Sequence, residues 1–157
     1  MDKRIINPGH QDEPVTESVW LDIESLVRVE ITSEDAAHPI EAALRPSEDC
    51  GWRAAGPGRQ TIRLRFNHPQ PLQRIWLKFV EADVERTQEY ELRWSDDGGQ
   101  SFHHIVRQQW NFSPSGATAE TEDHHVDLPA VNVLELNIVP EIRGGEAIAS
   151  LMHWRLA

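Results

Sequence analysis

Aromatic, basic and acidic side chains recur together in the segments that separate the apolar runs of this chain. An exposed aromatic face packs against the C–H bonds of a ring, and guanidinium, amide and carboxylate groups form paired hydrogen bonds with hydroxyl oxygens. Side chains of these types are suited to a small polar ligand such as a sugar. The residues that could do this chemistry are Trp52, Arg53, Glu85, Arg86, Trp110, Asn111 and Arg143.

The apolar runs that must position these residues alternate with a period of two, which predicts strands. We expect a single domain over residues 19–157, preceded by a polar arm over residues 1–18. The predicted fold is an all-β, antiparallel β-sandwich of jelly-roll type with about eight strands. The strands are predicted at Leu26–Thr32, Gln60–Phe66, Arg74–Val80, Glu89–Trp94, Phe102–Arg107, Thr118–Leu128, Val133–Val139 and Ala147–Leu156.

Three shorter segments complete the prediction. Trp20–Ile23 could form an edge strand, and Pro39–Leu44 favours one or two helical turns because proline suits the first helical position. Arg45–Arg59 is rich in glycine, proline and polar residues and is predicted to be an ordered loop.

If consecutive strands run antiparallel, their connections alternate between the two ends of the sandwich. The end reached after Thr32 is called the top, and its connections are long and carry all seven candidate residues. They are Ser33–Arg59, Ala82–Thr87, Trp110–Ala117 and Pro140–Glu146. The opposite end has tight turns at Asn67–Pro71, Ser95–Ser101 and Pro129–Asn132. Because long loops in compact domains are often functional, we predict the ligand site at the top.

Composition narrows the class of partner. The chain has 157 residues, 39% of them hydrophobic, and a formal net charge of −11. That charge repels phosphate backbones, so no non-specific nucleic-acid binding is expected. No apolar run reaches the length that would cross a bilayer, so no membrane insertion is expected. Cys50 has no partner for an intrachain disulfide, which favours a reducing compartment. No secretory signal is evident, so we expect either a cytoplasmic protein or one whose signal has been removed.

The chain lacks the sequence signatures of catalysis. There is no nucleophile elbow, phosphate loop or metal-hydrolase motif, so we predict that it is not an enzyme. The favoured function is a non-catalytic module that binds carbohydrate or another small polar ligand through the top loops. The alternative is a protein–protein interaction module with no small-molecule ligand. The oligomeric state is left open.

Three segments resemble a known family. Tyr90–Phe102 is similar to the hairpin of discoidin, or coagulation-factor type C, domains, which are galactose-binding-like jelly rolls. Pro39–Leu44 followed by Trp52 resembles the early part of that family, and Leu134–Leu156 resembles its last two strands. The resemblance covers about residues 27–156 and implies the jelly-roll fold.

The resemblance also implies a metal site. Domains of this family often hold a structural calcium ion in the loop before the tryptophan, and Ca²⁺ takes six to eight oxygen ligands. The matching positions here are Glu48 and Asp49. We therefore expect no cofactor other than a possible structural calcium ion.

Two short stretches resemble one particular branch, the amino-terminal domain of X-ray repair cross-complementing scaffold proteins. They are Thr32–His38 and Gly51–Leu64. That likeness implies a protein-binding role, which is the alternative function. The strongly acidic charge of this chain departs from the DNA-binding part of that role.

Overall fold

Two long, bent strands organise the fold. A computed structural model describes residues 20–46 and 49–157. Its elements are α1 (Ile23–Leu26), β1 (Val27–Ile31), α2 (Glu41–Leu44), β2 (Trp52–Pro57), β3 (Gln60–Val80), β4 (Arg86–Ser95), β5 (His103–Phe112), β6 (Ala119–Val139), β7 (Ile148–Leu151) and β8 (His153–Leu156). The predicted arm over residues 1–18 lies outside the described residues.

All described strand pairs are antiparallel. The main sheet has the order β1-β3-β6-β4-β5, with β8 also paired to β3, and β2 and β7 form a small second sheet. The first half of β3 lies between β1 and β6, and its second half lies between β6 and β8. The prediction of an all-β antiparallel sandwich with about eight strands is confirmed.

Two predicted turns are wrong. Asn67–Pro71 and Pro129–Asn132 lie inside β3 and β6, and Gln70 pairs with Val131, so the two segments form one shared bend. Prolines in both segments cannot donate to the ladder, and the register shifts there. The bend carries each strand from one layer to the other. Both ends of β3 therefore reach the top of the sandwich.

The helical turn predicted in Pro39–Leu44 is confirmed as α2. The predicted edge strand Trp20–Ile23 is wrong, because Ile23 begins α1 and only Leu21 bonds to a strand, through its amide and the Leu156 carbonyl at 2.8 Å. The predicted loop Arg45–Arg59 contains β2, which pairs with β7.

Inward-facing residues of the two layers form one core. Phe79 of β3 and Tyr90 of β4 meet across it with ring centroids 5.3 Å apart. Fully buried aliphatic and aromatic side chains from both layers surround this pair: Trp52, Ile62, Leu64, Leu77, Leu92, Phe112, Leu134, Leu136 and Trp154. The core extends to the top, where Arg86, the first residue of β4, lies over the ring of Phe112, the last residue of β5.

A pair of carboxyl groups also faces inward, from the first half of β6. Burial and the neighbouring Glu122 raise the pKa of Glu120 to about 8. Because its pKa is raised, Glu120 is protonated in the folded protein at a pH where it would be ionised in the unfolded chain. The Tyr90 hydroxyl and the His124 ring, 2.8 Å apart, lie on the same side of the strand.

The contribution of Glu120 to stability is expected to fall as pH rises from about 5 to about 8. Between the ordinary glutamate pKa of 4.5 and the folded value of about 8, the folded state binds more protons than the unfolded state. Glu120→Gln should raise the melting temperature at pH 8, change it little at pH 5 and flatten the pH profile. Asp127→Asn, at an exposed position of the same strand, serves as the control. A profile that Glu120→Gln leaves unchanged would contradict this assignment.

Candidate functional site

The predicted top loops meet at one end of the sandwich. The Ile142 amide donates to the Thr87 carbonyl at 2.9 Å, which joins the loop after β6 to the start of β4. The Glu81 amide donates to the Thr118 carbonyl at 2.8 Å, which joins the loop after β3 to the loop after β5. Arg53, at the start of β2, lines a groove together with residues of the loops after β3 and after β6.

We call this depression the top groove. Its volume is about 460 Å³. Its polar wall is formed mainly by Arg53, Glu85, Arg86, Glu141 and Glu146, and its apolar wall by Val84, Ala147 and Ile148. A neighbouring cavity of about 200 Å³ shares Arg53, Glu81 and Ile148 with it. A groove of this size accommodates a small ligand.

Arg86 is a buried residue whose hydrogen bonds connect two top loops. Its Nε donates to the Glu81 carboxylate at 2.9 Å, and its Nη1 donates to the Gln88 side chain at 2.9 Å and to the Pro140 carbonyl at 3.0 Å. The alternation of β4 turns this residue inward, over the Phe112 ring. The sequence predicts an accessible ligand donor here; the structure corrects this, because the Arg86 side chain is 1% exposed and lies at the base of the groove.

Trp52 belongs to the core. It is 1% exposed, and its indole Nε1 donates to the Ser33 carbonyl at 3.2 Å. The preceding Gly51 has a φ of +67°, and a Cβ there would lie 2.6 Å from the Leu151 carbonyl oxygen. Only glycine permits this close approach of the chain to Leu151 at the start of β2. Trp52 was predicted to contact the ligand, and its burial in the core corrects this prediction.

Trp110 and Asn111 lie in β5 rather than in a loop. Trp110 pairs with Gln88 across the hairpin, so its ring shares the inward face of Gln88 and Phe112. Since β5 is an edge strand, the ring stays 36% exposed, but it does not line the top groove. Asn111 points to the other face, where its side-chain oxygen accepts from the Thr87 hydroxyl. The sequence grouped both with the top loops, and the structure separates them from the groove.

Three predicted residues remain exposed at the top: Arg53, Glu85 and Arg143. Arg143 Nε donates to the Glu141 carboxylate at 3.0 Å. This contact lowers the pKa of Glu141 to about 2, and Glu85 adds to the field that raises the pKa of Arg143. Arg143, which precedes the lining residue Gly144, is thus paired with Glu141. Arg53 and Glu85 line the groove itself, and the described residues show no ion pair to either of them.

Sequence reasoning missed seven groove residues: Glu81, Val84, Glu141, Gly144, Glu146, Ala147 and Ile148. Four of them, Val84, Glu141, Gly144 and Glu146, lie in predicted top loops, so their position was a usable signal. Ile148 was assigned to a strand, and only the pairing of β7 with β2 brings it beside Arg53.

The described residues hold no group of three histidine, cysteine, aspartate or glutamate side chains that could bind a metal ion. Of the predicted calcium ligands, Glu48 lies outside the described residues and Asp49 is exposed. The calcium site stays a prediction, which the melting temperature in excess Ca²⁺ and in chelator would test. Within the described ranges, no helix is long and apolar enough to span a membrane.

The model of the F5/8 type C domain family matches residues 28–153. The chain belongs to this family. The match spans every strand of the sandwich from β1 to the start of β8, including all loops of the top groove. Comparison with curated protein sequences gives no match.

Solved structures share the fold of this F5/8 type C domain. One is CpGH89CBM32-5 from Clostridium perfringens in complex with GalNAc-β-1,3-galactose, with 16% identity, coverage of 87% of this chain and 98% of that chain, and a TM-score of 0.65. Another is the family 32 carbohydrate-binding module of C. perfringens NanJ in complex with galactose, with 14% identity, coverage of 87% and 96%, and a TM-score of 0.63. A pectin-binding carbohydrate-binding module has 14% identity, coverage of 83% and 89%, and a TM-score of 0.59. These comparisons give no support to the resemblance to repair-scaffold domains.

Proposed function

We propose that this F5/8 type C domain is a carbohydrate-binding module without catalytic activity of its own, and that the top groove holds the sugar. The observation that carries the proposal is the composition of the groove. An apolar wall of Val84, Ala147 and Ile148 faces the exposed side chains Arg53 and Glu85. A pyranose ring needs such a pairing, because its C–H face packs on apolar groups while its hydroxyls form hydrogen bonds.

The hydrogen-bonding capacity of the groove supports the same ligand class. The Arg53 guanidinium can donate two parallel bonds to neighbouring hydroxyl oxygens, and the Glu85 carboxylate can accept from hydroxyl groups. Three solved structures with the same fold are carbohydrate-binding modules by their descriptions, and two of them are complexes with galactose or a galactose-containing disaccharide.

Two carboxylates of the groove, Glu81 and Glu141, are poorly suited to catalysis. Glycoside hydrolysis needs one carboxyl group with a raised pKa as the acid and a second carboxylate opposite it. In the groove, Arg143 lowers the pKa of Glu141 to about 2, and Arg86 occupies one oxygen of Glu81. Glu120, whose pKa is raised, lies in β6 and does not line the groove.

A glycan array followed by calorimetric titration of the whole chain tests the proposal. We expect retention on at least one class of glycan, and Arg53→Ala and Glu85→Ala should each weaken binding about tenfold or more, since each removes a charge-assisted hydrogen bond. Both residues are exposed, so the melting temperature should stay near that of the wild type. Arg28→Ala, at an exposed position of β1, is the matched control and should bind normally.

Two results would count against the proposal. One is the absence of glycan binding together with specific capture of a protein, which favours the protein-interaction alternative. The other is glycan binding that both groove variants leave unchanged, which would move the site away from the top groove.

A further inference from the structure

We infer that the top groove selects sugars by charge, so that it binds neutral and amino sugars and rejects uronic acids and other anionic sugars. The inference rests on the proposed function and narrows its ligand class. It depends on which charged groups of the groove already have a partner.

Two arginines at the top are neutralised within the protein: Arg86, which lines the groove, and Arg143, which precedes the lining residue Gly144. Arg86 contacts the Glu81 carboxylate at 2.9 Å, and Arg143 contacts the Glu141 carboxylate at 3.0 Å. Each pair contributes no net charge to the groove. A sugar carboxylate would have to compete with an acidic side chain already in place for either guanidinium.

Most of the charged groups without an ion pair are negative, which favours a neutral or positively charged ligand. Asp83, Glu85 and Glu146 are exposed at the groove or its neighbouring cavity, and the described residues show no ion pair to any of them. Arg53 is the one remaining guanidinium among the residues that line these two cavities. Three carboxylates against one guanidinium leave a net charge of −2, in a chain whose total is −11.

Burial also keeps Arg86 from a sugar carboxylate. The Arg86 side chain is 1% exposed and its Nη2 atom is buried, so a ligand in the groove does not reach this guanidinium. An anionic oxygen in the groove would therefore meet the carboxylates of Glu85 and Glu146 without gaining a contact to Arg86, which adds repulsion in a partly water-excluded site.

The test compares three sugars that share one ring configuration and carry no charge, a negative charge or a positive charge. They are built on the neutral hexose that the glycan array identifies: the hexose itself, its uronic acid and its 2-amino form. For a galactosyl glycan these are galactose, galacturonic acid and galactosamine. We expect the uronic acid to bind at least about tenfold more weakly than the neutral hexose and the amino sugar to bind more tightly, with both differences shrinking at 1 M salt because charge interactions are screened.

A variant that removes two negative charges from the groove tests whether these carboxylates cause the selectivity. Glu85→Gln combined with Glu146→Gln should bring the affinities for the three sugars closer together, whereas Asp127→Asn, an exposed acidic residue of β6 outside the groove, should leave their ratio unchanged. A uronic acid that binds as tightly as the neutral hexose would overturn the inference. So would an array that retains the domain only on acidic glycans, although the proposed function would then stand. If no glycan binds, the proposed function itself fails.

Discussion

Replacing Arg86 with methionine is expected to lower the free energy of unfolding by about 3–5 kcal/mol, the usual cost of removing one partner from a buried ion pair. Methionine retains most of the volume of the side chain but none of its donors. The Glu81 carboxylate, only 16% exposed, would lose its guanidinium, and Gln88 and the Pro140 carbonyl would lose a donor. Urea denaturation monitored by fluorescence measures the change.

Two further variants show whether burial of the charge is the cause. Arg143→Met removes an equivalent contact to Glu141, but its side chain is 73% exposed, so the loss should stay within about 1 kcal/mol. Glu81→Gln in the Arg86→Met background should recover part of the loss, since no unpaired charge then remains near the core. Equal losses in the free energy of unfolding for Arg86→Met and Arg143→Met would contradict a stabilising role that depends on the burial of Arg86.

The second large effect distinguishes two tryptophans that look alike in sequence. Trp52→Ala should destabilise the fold by about 3–5 kcal/mol, because it empties a fully buried site in the core. Trp110→Ala should cost about 1–2 kcal/mol, since its ring is already 36% exposed on the edge strand. Urea denaturation of both variants measures these values.

Sugar binding by the same variants tests the site. If the exposed aromatic ring of Trp110 stacked on the sugar, Trp110→Ala would abolish binding. Because Trp110 does not line the top groove, we now expect Trp110→Ala to bind normally. Loss of binding in a folded Trp110→Ala variant would place the ligand beside β5 and exclude the groove.

The sequence predicted the class of fold and the end of the sandwich at which the loops gather. Alternation of apolar residues requires only that one face of each strand be buried, and this local pattern is strong in segments such as Gln60–Phe66 and Glu89–Trp94. The shared bend was not predictable, because Asn67–Pro71 and Pro129–Asn132 each look like a turn. They pair with each other and form a bend only because β3 and β6, which are far apart along the chain, lie side by side.

The candidate site was predicted less completely, for a related reason. Amino-acid type showed that Trp52, Arg86 and Arg53 could each contact a ligand, and their positions placed them at the same end of the sandwich. The inward alternation of β2 and β4 buried the first two, while Arg53 stayed exposed. Burial and charge pairing depend on which side chains meet across the fold. The sequence by itself therefore determined the sandwich, its acidic charge and the loops that carry the polar residues, and only the tertiary structure decided which of those residues remain available to a ligand.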